Sequence, residues 1–87
     1  MKPNQIPSAV ISPITRVVMV HNGNICLMVK VPSGITDPVA NDRIKYADYI
    51  AQLAVKNKRS TYDAAFVLAL SELEMGFDVM NMTDMLA

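Results

Sequence analysis

Apolar and polar positions follow a strand pattern in the first third of the chain. Residues 15–31 read TRVVMVHNGNICLMVKV, two apolar, β-branched runs on either side of Asn22-Gly23. Asn-Gly between such runs is the strongest short-range signal for a β-hairpin, because a type I′ turn needs positive φ at both central residues. We therefore predict a hairpin over residues 14–31 with Asn22 and Gly23 at the centre of its turn.

This turn predicts the register and the two faces of the hairpin. Val20 lies opposite Ile25 and Val18 opposite Leu27, so one face is apolar apart from Arg16. The other face has an apolar patch near the turn. Its members are Val17, Met19, Cys26 and Met28. Because a two-stranded hairpin is marginal in water, we expect helices to cover the first face. We expect either a third strand and the N-terminal arm, or another molecule, to cover the second face.

The next segment changes to the three-and-four spacing of an amphipathic helix. After a connector at residues 32–41, we predict a helix over residues 42–57. Asp37-Pro38 is an earlier alternative start, because Asp is a good N-cap and Pro suits the first helical turn.

A second helix is predicted over residues 60–75. Ser60 and Asp63 resemble a capping box at its start, and Gly76 is a natural residue to end it. The segment is apolar almost all round, which favours burial on more than one side.

The two ends of the chain are the least regular parts. Prolines interrupt residues 1–13, where residues 9–12 (AVIS) suit a short edge strand. Residues 77–87 form a methionine-rich tail, for which we predict a short helix. The expected fold is α+β: a hairpin, three-stranded if the N-terminal arm joins it, packed on two helices within one domain.

The composition favours contact with another chain. Apolar residues make up 52% of the 87 and charged residues 18%, below the roughly 25% of typical soluble domains. Residues 1–59 carry eight basic and three acidic residues, a net charge of +5. Residues 60–87 carry five acidic residues and no basic one, a net charge of −5. These halves either attract each other or present separate faces to different partners.

Cysteine content and hydropathy favour a cytoplasmic protein. The single cysteine, Cys26, cannot form an internal disulfide, which suits a reducing compartment. The longest apolar run covers residues 64–70, far short of the roughly 18 residues of a membrane span.

The residue pattern does not favour catalysis, a cofactor or a metal. His21 and Cys26 flank the turn, but two ligands do not make a metal site. A catalytic triad has only His21 available, and a hairpin tip is a poor place for a preorganised base. Glu72 and Glu74 point to different sides of a helix and do not form an acid–base pair. We therefore expect no enzyme activity.

The expected function is protein binding, as a small accessory, adaptor or inhibitory protein that acts as a homodimer. Chains of this kind are common among viral and mobile-element regulators. The residues expected to bind a partner are Val17, Met19, Met28, Glu72, Glu74, Met80, Met82 and Leu86. The alternative is a nucleic-acid-binding regulator that uses the hairpin and the basic junction between the helices. Its residues are Lys30, Lys56, Lys58 and Arg59.

Overall fold

A three-stranded sheet and three helices make up the computed structural model, which describes residues 16–86. The elements are β1 (Arg16–Asn22), β2 (Ile25–Val31), α1 (Asp37–Lys56), α2 (Tyr62–Glu72), β3 (Asp78–Asn81) and α3 (Thr83–Leu86). Strand β2 is central and pairs antiparallel with both β1 and β3. The predicted α+β class is confirmed, with the third strand supplied by the C-terminal tail. The edge strand predicted in residues 9–12 lies outside the described residues.

The hairpin forms as predicted, but its register differs by two residues. Asn22 lies opposite Ile25 and Val20 opposite Leu27, so Gly23 and Asn24 form the turn. Only Gly23 of these two has positive φ, at 57°, which is the pattern of a type II′ turn and not of type I′. A shift of two residues preserves the faces, because successive side chains alternate between them.

One face of the sheet packs against the helices. Leu27 and Val29 of β2 are fully buried and cluster with Ile44 and Ala47 of α1 and Phe66 of α2. Complete burial of an aliphatic or aromatic side chain contributes roughly 1.5–3 kcal/mol. Both helices therefore lie on the same side of the sheet, and we call this side the inner face.

Arg16, a polar residue of the inner face, holds the connector before α1. Its guanidinium donates to the carbonyl of Ile35 and to the carboxylate of Asp37. Helix α1 starts at Asp37, with Thr36 as its N-cap, and not at residue 42. The helix thus begins at the earlier of the two predicted starts, with Pro38 in the first turn, but Asp37 is its first helical residue and not the predicted N-cap.

Helix α2 is shorter at both ends than the predicted 60–75. Its N-cap is Thr61 and not Ser60, and the helix ends at Glu72. Glu74 adopts a left-handed backbone with φ of 53°, which turns the chain before Gly76 is reached. Gly76 also has positive φ, but it lies beyond the end of the helix and does not terminate it.

Candidate functional site

The sheet face that points away from α1 and α2 is the candidate site, and we call it the open face. Strands β1, β2 and β3 contribute alternate side chains to it. These are Val17, Met19, His21, Cys26, Met28, Lys30, Asp78 and Met80.

Three methionines cross the centre of the open face in a single row. Met28 lies directly opposite Met19 on one side and Met80 on the other. Side chains opposite one another on antiparallel strands have Cβ atoms about 4.5–5.5 Å apart, so neighbours in this methionine row are in reach of each other. Met19 is 41% exposed and Met80 45%, beside Val17 at 47%. The described residues thus leave an apolar strip open to solvent.

A balanced pair of charges borders the methionine row on one side. Lys30 lies directly opposite Val17 on β1 and Asp78 on β3. One cation and one anion in adjacent cross-strand positions leave this part of the open face neutral. The site therefore has an apolar centre and a polar border, which is the usual anatomy of a protein interface.

Helix α3 covers the other border, and this corrects one expectation. Cys26 was predicted to belong to the uncovered patch, but it is only 4% exposed. The Thr83 hydroxyl accepts a 2.9 Å hydrogen bond from the Cys26 N–H, and the Met82 N–H donates to the Cys26 carbonyl over 2.8 Å. These bonds dock the start of α3 against the beginning of β2 and bury the cysteine.

His21 and Cys26 lie opposite each other, with the His21 Nε2 atom 3.9 Å from the Cys26 sulfur. Two ligands leave a coordination shell incomplete. Within residues 16–86 no group of three or more His, Cys, Asp or Glu side chains lies close enough to hold a metal ion.

A groove of about 580 Å³ lies away from the open face, between the hairpin turn and the junction of α1 with α2. Ser60 and Tyr62 are among its lining residues. The Tyr62 hydroxyl donates to Asp48 over 2.5 Å, and burial together with this bond raises the pKa of Tyr62 above its ordinary value. The chain's single histidine, His21, is on the open face, so it cannot serve as a base for Ser60.

The structure brings together four of the predicted partner-binding residues and separates the others. Val17, Met19, Met28 and Met80 are neighbours on the open face. Glu72 and Glu74 are exposed at the end of α2 and beyond it, in the helical layer. Met82 is half-buried after β3, and Leu86 is the last residue of α3.

The residues of the nucleic-acid alternative do not form one surface. Lys56, Lys58 and Arg59 are exposed where α1 ends, and Lys56 also lines the groove beside the hairpin turn. Lys30 lies at the far end of β2, on the open face and opposite Asp78. The four cations therefore divide between two sites on opposite sides of the sheet.

Sequence reasoning missed that Met80 joins Met19 and Met28 on one face. The available signal was the alternation after Gly76, where Phe77 and Val79 are apolar and Asp78 between them is charged. Such period-two alternation is typical of a half-buried strand, but four residues are a short run to recognise.

No protein-family model matches the chain, no curated protein resembles it significantly, and no solved structure does. Within residues 16–86, none of the helices is long and apolar enough to span a lipid bilayer.

Proposed function

We propose that this chain is a protein-binding module that acts without catalysis and uses the open face of its sheet to hold an apolar segment of another protein. The observation that carries the proposal is the exposed methionine row across all three strands. The inner face of the same sheet is filled by helices, so the exposed strip is not needed for the core of the described residues.

Methionine supports this proposal by its physical properties. Its side chain is unbranched, flexible and polarisable, so it adapts to partner surfaces of different shapes. Val17 extends the row with a rigid, branched side chain at 47% exposure. An apolar residue of the partner that inserts between Met19, Met28 and Met80 would gain roughly 25 cal/mol for each Å² of apolar area removed from water.

The charges of the open face favour an apolar partner over nucleic acid. Its lysine, Lys30, is opposed by Asp78, so the face offers no excess positive charge to phosphates. Affinity for a phosphate backbone depends on several unpaired Lys or Arg residues acting together.

A photo-crosslinking amino acid placed at position 80 tests the proposal. The variant is incubated with lysate of the source cells, and the protein captured is identified, purified and titrated against the chain. We expect saturable binding that is weakened about tenfold or more by Met80→Lys, a loss of roughly 1.4 kcal/mol.

Leu68 provides the matched control, because it is 59% exposed on α2, in the helical layer. Leu68→Lys should leave the affinity for the purified protein unchanged, and a crosslinker at position 68 should not capture it. Equal capture from both positions, or equal loss of affinity in both variants, would show that the open face is not the binding site.

A further inference from the structure

The outer edge of β1 has no pairing strand in the part of the chain that the structure describes. This strand is seven residues long (RVVMVHN), β-branched at three positions and free of proline and lysine. The opposite edge of the sheet is the four-residue β3, which begins with Asp78 and ends with Asn81. Long, regular edges with few charges accept further strands, whereas short polar edges resist them. The β1 edge is therefore the one suited to strand addition.

The turn determines which backbone groups of β1 point to this edge. A two-residue turn is closed by a hydrogen bond between its flanking residues, here Asn22 and Ile25. Because bonded and non-bonded pairs alternate along an antiparallel ladder, the residues of β1 that bond to β2 are the even-numbered ones. The N–H and C=O groups of Val17, Met19 and His21 therefore point outward.

The other side of β2 supports the same alternation. The Cys26 carbonyl accepts from the Met82 N–H over 2.8 Å, on the side of β3. The backbone groups of the even-numbered residues of β2 thus bond to β3. Those of the odd-numbered residues, from Ile25 onward, bond to β1.

We propose that a second copy of this chain adds to the β1 edge, antiparallel, about a two-fold axis that passes beside Met19. In this register Met19 faces Met19 of the second copy, and Val17 faces His21. The outward groups of these three residues are arranged symmetrically about position 19, so all six in each copy find partners. In any other symmetric register the two-fold axis lies elsewhere along β1. At least one outward N–H or C=O group at an end of the strand then has no hydrogen-bonding partner in the second copy.

The side chains of β1 are compatible with this pairing on both faces. On the inner face Val18 meets Val20, and Arg16 meets Asn22, so like charges do not oppose each other. A two-fold axis perpendicular to the sheet keeps the open faces on the same side. The result is a six-stranded sheet in which the two methionine rows join into one row of six.

This inference goes beyond the proposed binding of another protein, because it uses the backbone edge of β1 and not the open face. A dimer doubles the apolar strip and gives it two-fold symmetry. The partner of the open face would then bind as two equivalent segments or as a symmetric dimer of its own.

Charge substitutions at the axis test the register. Met19→Lys places two cations opposite each other, and Met19→Glu places two anions, so each variant alone should be a monomer by light scattering. A mixture of the two variants should recover the mass of a dimer, because the introduced lysine of one chain then faces the introduced glutamate of the other. The unmodified chain should show twice the 9.6 kDa chain mass.

Met80→Lys is the control, since position 80 lies on the open face two strands away from the edge. It should remain dimeric while losing the partner of the open face, which separates the two proposals. Circular dichroism of each variant establishes that it is folded. A monomeric unmodified chain at high micromolar concentration, or a variant mixture that stays monomeric, would overturn the proposed edge pairing.

Discussion

Gly23 is the residue on which the hairpin depends most, because it alone of the two turn residues has positive φ. Its φ of 57° is strained for any residue with a Cβ atom, although nothing lies within 4 Å of the Cβ position. We expect Gly23→Ala to lower the free energy of unfolding by about 1–3 kcal/mol through backbone strain.

Asn24 is the matched control for this prediction. In a type II′ turn the second central residue keeps negative φ, so Asn24→Ala should cost less than about 0.5 kcal/mol, as for an ordinary surface change. Urea denaturation of both variants measures the difference. Similar losses would indicate positive φ at Asn24 as well, and therefore a type I′ turn at Gly23 and Asn24 in place of the type II′ turn.

The ring of Tyr62 is buried, and its hydroxyl donates a hydrogen bond to the Asp48 carboxylate of α1. Burial and this hydrogen bond raise the pKa of Tyr62. Loss of the bond in Tyr62→Phe should cost about 1–2 kcal/mol at neutral pH. Above the ordinary tyrosine pKa of 10.0 the unfolded chain ionises while the folded chain resists, so the native protein loses stability as pH rises.

The phenylalanine variant lacks this titration, so the stability difference between the two proteins should shrink as pH rises past 10.0. Urea unfolding at neutral and alkaline pH measures it. A difference that stays constant with pH would mean that the Tyr62–Asp48 bond does not hold the phenol in its neutral form.

At the scale of elements, the sequence predicted those features of secondary structure that depend on residues close together in the chain. The hairpin and both long helices were recognisable because Asn22-Gly23 and the apolar spacing act within a few residues. The register of the hairpin could not be predicted in the same way. The sequence fits a turn at Asn22-Gly23 and a turn at Gly23-Asn24, and tertiary packing decides between the two. The strand β3 was missed because its partner, β2, lies far away in sequence.

The docking of α3 against β2 is the other feature that depends on residues far apart in sequence. It depends on the hydrogen bond that the Thr83 hydroxyl accepts from the Cys26 N–H. Thr83→Val keeps the shape of the side chain but leaves the Cys26 N–H without its acceptor. We expect a loss of about 1–3 kcal/mol, the cost of an unsatisfied buried donor, and faster reaction of the Cys26 thiol with a disulfide reagent.

Thr36 gives the control for this prediction, because it is exposed and its side chain makes no capping hydrogen bond to α1. Thr36→Val should change neither stability nor thiol reactivity by a measurable amount. If Thr83→Val leaves the thiol as slow to react as in the native protein, then α3 does not protect Cys26.

At the scale of the whole molecule, the basic and acidic halves of the chain are held together without direct ion pairs in the described residues. The two ion pairs in residues 16–86, Arg16–Asp37 and Arg43–Asp42, both lie within the basic half of the chain. Direct ion pairs between the basic and acidic halves are therefore not what joins them in the described part. The halves meet through the apolar core and the pairing of β2 with β3, and their charges remain available at the surface.

Glu72 of α2 tests whether the partner of the open face also contacts the helical layer. Glu72→Lys lies in the helical layer, so it should alter the salt dependence of association while leaving the dissociation rate of the open-face partner unchanged. Surface plasmon resonance at several salt concentrations measures both rates. A faster dissociation in Glu72→Lys would place part of the interface on α2.

The central claim, that the open face holds a partner protein, is tested most directly by titrating the purified partner against Met80→Lys and Leu68→Lys. The two substitutions introduce the same charge at two exposed apolar positions, one on each side of the molecule. We predict an affinity about tenfold or more weaker for Met80→Lys and an unchanged affinity for Leu68→Lys, with both proteins folded. An unchanged affinity for Met80→Lys would contradict the account.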